Sequence, residues 1–326
     1  MKKEDLKIVF MGTPEFAVET LKALVDNDYN VVAVVTQPDK PVGRHGSVLQ
    51  QSAVKQYAVS VGLPVLQPVK MKDPEFVERL RSYEANLQIV VAFRMLPEVV
   101  WAMPEYGTFN VHAALLPQYR GAAPINWAVI NGETRTGIST FFLDYDIDTG
   151  RVIMREPFEI KPEYNVENVY DGLMHLGADV CLRTLEAIIA ADGKPATVLQ
   201  SDLVAPGEVL HDAPKIFKET CLIDWHKSAN AVRDFIRGLS PHPGAWTTLV
   251  SPDGKRSVLK IFSTELHFEH SEQTAGSLLL CGRQLGIVAA DGEVVVVREL
   301  QLAGKKRMAS ADFINGFKDI DSCRVE

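Results

Sequence analysis

The chain has 326 residues, 46% of them apolar, and a formal net charge of -8 from 34 Lys and Arg against 42 Asp and Glu. That length allows a large buried core and fits two domains, and the acidic balance argues against a protein that coats nucleic acid nonspecifically, while leaving room for a local basic surface. No run reaches the ~18 uninterrupted apolar residues of a membrane span, and the charged start breaks at Gly12, Pro14 and Glu15 rather than reading as a signal peptide, so cytoplasm is the expected compartment.

In chain order, Ile8 to Met11 reads as a buried strand. Gly12, a Thr13 N-cap and Pro14 at the first helical position should then open a helix carrying Phe16, Val18, Leu21, Leu24 and Val25. Val31 to Val35 is a second β-branched run, Gln51 to Val61 a helix, and Val65 to Leu66 a short strand. Asp73 and Pro74 start a helix through Leu80, followed by a strand from Leu87 to Phe93. Two further strands are expected at Thr108 to His112 and Ile138 to Leu143, with a helix from about Pro124 between them and a long helix over Val166 to Ala190. Such alternation predicts an α/β fold, a parallel sheet with helices on both faces.

After Ala191 the Gly193 and Pro195 stretch reads as a linker over 191–206. Beyond it come one helix, Ala229 to Arg237, and short β-branched runs such as Val258 to Phe262 and Val294 to Val297, the pattern of a small β-barrel. The expected division is therefore 1–190, a linker at 191–206, and 207–326.

Cys181, Cys221, Cys281 and Cys323 lie far apart, form no zinc-type cluster and read as free, mostly buried thiols. Walker lysine, GxSxG, HExxH and GxGxxG motifs are absent from the sequence. Asp144, Asp146 and Asp148 open like a calcium loop, but the sixth and twelfth positions are Thr149 and Arg155 instead of Gly and Glu, so no metal is expected.

Asn110 and His112 stand one residue apart at the end of an expected strand, so their side chains share a face at the edge where α/β sheets hold ligands. A carboxamide beside an imidazole suits acyl transfer to an amine, since one can stabilise an oxyanion and the other move a proton. Alone, such a triplet is a weak signal and reads more readily as two polar residues ending a strand.

Its context narrows the choice. FNVHAALLPQYRGAAPINW (Phe109 to Trp127) and LDYDIDTG (Leu143 to Gly150) resemble the signature of the 10-formyltetrahydrofolate-dependent formyltransferases. So do IVFMGTPEFA near the start, TQPDKPVGR (Thr36 to Arg44), IRGLSPHPGAW (Ile236 to Trp246) and AGKKRMASADFING (Ala303 to Gly316). The resemblance covers nearly the whole chain and is strongest to the methionyl-tRNA formyltransferases. It implies a Rossmann-like domain joined to a smaller OB-like β-barrel domain. The implied activity is transfer of the formyl group of 10-formyltetrahydrofolate, the co-substrate, to the α-amino group of methionine on initiator tRNA, in support of translation initiation. No covalent enzyme intermediate and no protein partner are implied.

Position by position, the resemblance makes Asn110, His112 and Asp148 catalytic. It places Phe93, Arg94, Met95, Leu96, Leu115, Leu116, Pro117, Asp144 and Asp146, with His112, around the tetrahydrofolate derivative. Lys40, Arg44, Arg237, Lys305, Lys306 and Arg307 are the expected tRNA contacts, Lys55 is a further available cation, and Arg120 is expected either to pair with a carboxylate in a structural role or to contact substrate. Ala114, Arg94 and Asp146 depart from the family's usual Ser, Gly and Gly and bear on the shape of the donor pocket. The alternatives are a formyltransferase for an amino sugar nucleotide, a formyl-donor hydrolase, and a noncatalytic tRNA-binding protein.

Overall fold

Short β-branched runs buried on both faces become central strands, because helices must cover both sides of a parallel sheet. The computed structural model describes residues 1–42, 48–267, 270–317 and 320–326. Strands β1 (Ile8–Gly12) and β2 (Val31–Val35) are of this kind, joined by α1 (Glu15–Asp26) with Phe16, Ala17, Thr20, Leu21 and Leu24 on its buried face. Helix α1 begins one residue later than expected: Pro14 is the N-cap, and the Thr13 hydroxyl caps nothing among the described residues. A hairpin of β3 (Lys40–Val42) and β4 (Val48–Gln50) follows, then α2 (Ala53–Ser60), whose Ser52 cap accepts from Lys55 N, and β5 (Val65–Leu66). Helix α3 (Pro74–Arg81) has the expected Asp73 cap, which accepts from Glu75 N. Next come β6 (Leu87–Val91), α4 (Glu98–Trp101), β7 (Thr108–His112), β8 (Arg120–Gly121), α5 (Pro124–Ile130), β9 (Arg135–Phe142), β10 (Val152–Glu159) and α6 (Val166–Ala190).

The sheet runs β10-β9-β7-β6-β1-β2-β5. Five of these strands are parallel, but β9 is antiparallel to β7, setting Asn110 opposite Phe141 and His112 opposite Ser139. The expected parallel sheet is thus present, with β9 running antiparallel to β7. Strand β10 escaped the sequence reading because Arg155, Glu156 and Pro157 interrupt it, which an edge strand tolerates.

Two units emerge. The first is Met1–Gly121, Thr136–Glu159 and Tyr170–Asp212; the second is Ala122–Arg135, Ile160–Val169 and Ala213–Glu326. The stretch 191–206, expected as a linker, therefore belongs to the first unit, and α5 belongs to the second. In the second unit Asn126 Nδ2 donates to the Gly238 carbonyl at 2.8 Å, and a Cβ on Gly238 would come within 2.6 Å of Ile130 Cγ1, so α5 packs closely on α7 (Ala229–Gly238).

After β11 (Asp212–Ala213), the second unit is an antiparallel sheet of β12 (Ala245–Val250), β13 (Arg256–His267), β14 (Leu278–Cys281), β15 (Gln284–Val288), β16 (Val294–Leu302), β17 (Met308–Ala309) and β18 (Arg324–Val325), with α8 (Ser310–Asn315) before β18. Its order is β14-β15-β16-β13-β12-β18, with β17 on β16. A bridge between Ser277 and Arg324, with Val325 N donating to Gly276 O at 2.9 Å, joins the two ends and closes the barrel. Closure removes the open edges that would otherwise template aggregation. Leu259, Ile261, Leu285, Ile287, Val295, Val297 and Leu300 fill the interior, and Val232 and Ile236 of α7 add to it.

Candidate active site

Pairing aligns Gly12 with Val91 and Val91 with Val111, so β1, β6 and β7 end level. The carboxyl end of such strands is where α/β sheets place ligands. His112 is the last residue of β7 and is only 6% exposed. Its Nε2 lies 2.9 Å from the Tyr119 carbonyl oxygen, and its Nδ1 lies 3.8 Å from Asp148 Oδ2. A carbonyl only accepts, so Nε2 carries the hydrogen, which leaves Nδ1 as the nitrogen open to a further proton. At 3.8 Å the carboxylate neighbours Nδ1 beyond the range of a direct hydrogen bond.

Each contact of His112 is itself anchored. Asp148 Oδ2 accepts from Gly121 N at 2.9 Å, and Tyr119 N donates to His211 O at 2.7 Å. Tyr119 and Asp148 have φ of 58° and 55°, a left-handed region in which Asp is better tolerated than most residues. Gly121, with φ of 127°, occupies backbone space that favours glycine. Ser139, on β9, accepts from Leu116 N at 2.9 Å and donates to Ala114 O at 2.6 Å, which fixes the turn leaving β7. Asn110, two residues before His112 and on the same face, keeps a buried Oδ1 with no partner among the described residues.

The residues expected around the donor divide into two groups. Met95, Asp144 and Asp146 are exposed, and Phe93 and Leu115 are half-buried. Leu96 and Pro117 are buried, and Leu116 is wholly enclosed with Phe141 and Val152, so its side chain is core. Arg94 donates through Nη1 to Val69 O at 3.0 Å and through Nη2 to Pro68 O, and burial pushes its guanidinium below the usual arginine range. Its side chain ties two loops together. Tyr145, between the two exposed aspartates, donates to Glu98 Oε1 at 2.7 Å and packs edge-on against Trp101.

Among the described residues Arg120 pairs with no carboxylate. Its Nε and Nη2 donate to Gln200 Oε1 at 2.9 and 2.7 Å, and Gln200 Nε2 donates onward to the carbonyls of Asp148 and Gly150, both at 2.8 Å. Sequence reasoning missed Gln200.

Among the cations, Lys40, Lys305 and Lys306 are exposed, and Arg44 lies outside the described residues. Lys55 is committed to Asp39 at 2.6 Å; that bond and one from Gln67 hold the Asp39 carboxyl below its usual range. Arg237 is bound to Asp234 at 2.7 Å and to Tyr164 O at 2.8 Å, with its side chain 13% exposed. Arg307 pairs with Glu299 and lies over the Phe262 ring. Among the described residues no helix is long and apolar enough to cross a membrane.

A family model described as "Formyl transferase" matches residues 6–185, and one described as "Formyl transferase, C-terminal domain" matches residues 215–318. A protein of Parabacteroides distasonis named Methionyl-tRNA formyltransferase is 58% identical over 320 residues, 98% of each chain. One of the same name from Bacteroides thetaiotaomicron is 55% identical over 325 residues, 100% of each chain. Among solved structures, HypX from Aquifex aeolicus in complex with tetrahydrofolic acid shares the fold with a TM-score of 0.61 at 19% identity, covering 96% of this chain and 47% of that one.

Proposed function

The chain belongs to the formyl transferase family, among the methionyl-tRNA formyltransferases, and from that premise we propose how its residues perform the reaction. The protein transfers the formyl group of 10-formyltetrahydrofolate to the α-amino group of methionine on initiator tRNA. The amine nitrogen bonds to the formyl carbon, the carbonyl oxygen takes negative charge, and the bond from that carbon to N10 then breaks.

Asn110 serves both ends of this displacement. Its buried Oδ1 accepts an N–H of the incoming amine, and its Nδ2 donates to the oxyanion. His112 takes the amine's proton on Nδ1, the nitrogen not committed to Tyr119, supports the oxyanion as the imidazolium, and gives the proton to N10 as the carbon–N10 bond breaks, while Asp148 stabilises the charged ring. The Asn110 oxygen, without a partner among the described residues and two residues from a histidine with one nitrogen already held, is the observation that carries this reading.

Phe93, Met95, Leu115, Asp144 and Asp146 are the donor-side residues with side chains available to a pterin, while Arg94, Leu96, Leu116 and Pro117 shape the loops behind them. The first unit holds donor and chemistry and the second, the barrel, carries tRNA affinity. Lys40, Lys305 and Lys306 are the exposed cations for phosphate, and Arg44 joins them by resemblance to the family. Reaction in the cytoplasm by this chain without a partner protein suffices.

Single-turnover formylation tests the reading. Methionylated initiator tRNA should be formylated by the wild-type chain and about 10²–10³-fold more slowly by Asn110→Ala, and an amino sugar nucleotide should give no product; formylation of the sugar in preference to the tRNA rejects it.

A further inference from the structure

We propose that Gln200 is a positioning residue for formyl transfer, acting through Asp148. The inference rests on the catalytic role assigned to Asp148 above. Gln200 lies outside both family-matched stretches, 6–185 and 215–318, in a polar stretch that reads as a linker. It nevertheless is 3% exposed and opens the 3-10 turn Gln200–Leu203.

Its amide is fully used. The oxygen accepts two donors from Arg120, and the nitrogen donates to the Asp148 and Gly150 carbonyls. Asp148 is thereby gripped at two points, the carbonyl by Gln200 and the carboxylate by Gly121 N. A residue at φ 55° needs such over-determination, because the left-handed conformation is not one that an aspartate holds by default. Neighbouring contacts keep the turn in place. Val152 and Val198 exchange backbone hydrogen bonds at 2.8 and 2.9 Å, Arg151 bonds Thr197, and Leu203 packs against the cluster of Leu116, Phe141 and Val152.

The consequence is geometric. Loss of the Gln200 donor leaves the Asp148 carbonyl without this partner and frees the peptide to turn, carrying the carboxylate away from His112 Nδ1. A displacement of about 1 Å in a catalytic group can cost on the order of 100-fold in rate.

The variants Gln200→Glu and Gln200→Met separate positioning from simple support of the fold. Glutamate keeps an acceptor for Arg120 but cannot donate to the two carbonyls, and methionine removes both functions at similar volume. In full-length protein, single-turnover formylation of methionylated initiator tRNA should fall roughly 10- to 100-fold in each variant, with KM for tRNA and for 10-formyltetrahydrofolate nearly unchanged. In an Asp148→Asn background, Gln200→Glu should add little further loss, since the group it positions is already disabled. Should Gln200→Met fail to fold, Gln200→Glu decides alone. A folded Gln200→Glu with the wild-type rate, a loss confined to KM, or a loss that multiplies fully with that of Asp148→Asn overturns the proposal. If Asp148→Asn itself keeps the wild-type rate, the catalytic assignment fails, and this inference with it.

Discussion

Tyr119 presents its backbone carbonyl to His112 Nε2 at 2.9 Å, and this one contact decides which nitrogen of the neutral imidazole carries the hydrogen. The hydrogen on Nε2 is held by an acceptor that cannot reverse roles, so Nδ1, toward Asp148, is the nitrogen left to take a further proton. Nitrogen-15 NMR of His112 should show Nε2 protonated whenever the ring is neutral; a neutral ring protonated at Nδ1 contradicts the assignment. His112→Ala should lose roughly 10²–10⁴-fold in single-turnover rate while remaining folded.

Asn110 presents the opposite balance of stability and activity. With no partner for Oδ1 among the described residues, Asn110→Ala breaks no hydrogen bond at that atom and should melt close to wild type. Its chemical step should slow by about 10²–10³-fold while a folate analogue binds nearly as before. Thermal melts beside single-turnover kinetics check both halves; a marked fall in melting temperature shows that Oδ1 is paired in the resting protein.

Gly150 sits where a Cβ would come 1.7 Å from the Phe142 carbonyl oxygen, so Gly150→Ala must shift backbone. A loss of about 1–3 kcal/mol in denaturant unfolding is expected, the usual range for overpacking. The same shift moves one of the two carbonyls that Gln200 holds, so activity should fall in the fraction still folded. Wild-type stability in Gly150→Ala would show that the loop has slack.

Asp39 fastens the segment before β3 to Lys55 and Gln67, and those hydrogen bonds depress its carboxyl below the ordinary value. With the folded value lower than the unfolded one, near about 3.9, the contribution is complete above the unfolded value and disappears as pH falls through the folded one. The difference in melting temperature between wild type and Asp39→Asn should therefore stay constant from neutral pH down to about pH 4 and shrink below it. A difference that shrinks already between pH 7 and pH 5 excludes this origin.

Lys305 and Lys306 are exposed between β16 and β17, whereas Arg237 is committed to Asp234 and Tyr164. Replacing both lysines by alanine should weaken tRNA binding and flatten its dependence on salt, by up to about one unit of slope for each phosphate no longer neutralised. Arg237→Ala should instead lower stability and leave the salt slope alone. Binding titrations over a salt series separate the two, and an altered slope for Arg237→Ala would return it to the tRNA-binding surface.

Local signals in the sequence proved informative where the structure is local. The bounds of α6, the Asp73 cap and the shared face of Asn110 and His112 all follow from periodicity and capping chemistry within a few residues. Strand direction does not, because side chains alternate alike in parallel and antiparallel pairs, and β9 therefore came out reversed. Pairing of charges is equally hidden. Lys55 looks free until Asp39, 16 residues away, folds onto it, and Gln200 looks like linker until Arg120, 80 residues away, reaches it. Asp148 entered by resemblance alone, since nothing in its spacing from His112 announces a contact.

The interleaving of the two units along the chain bears on how such proteins can be recombined. The gap at 186–214 between the family-matched stretches invites a crossover there, with a new barrel spliced onto an old catalytic half. The second unit, however, also owns 122–135 and 160–169. A chimaera joined in that gap would ask a foreign α7 to accept the resident α5, at an approach so close that a Cβ on Gly238 would meet Ile130 at 2.6 Å. Shuffling would succeed when the two inserts travel with the barrel, as three pieces exchanged at once. Single-crossover hybrids between distant relatives should assemble poorly, however well matched the visible halves.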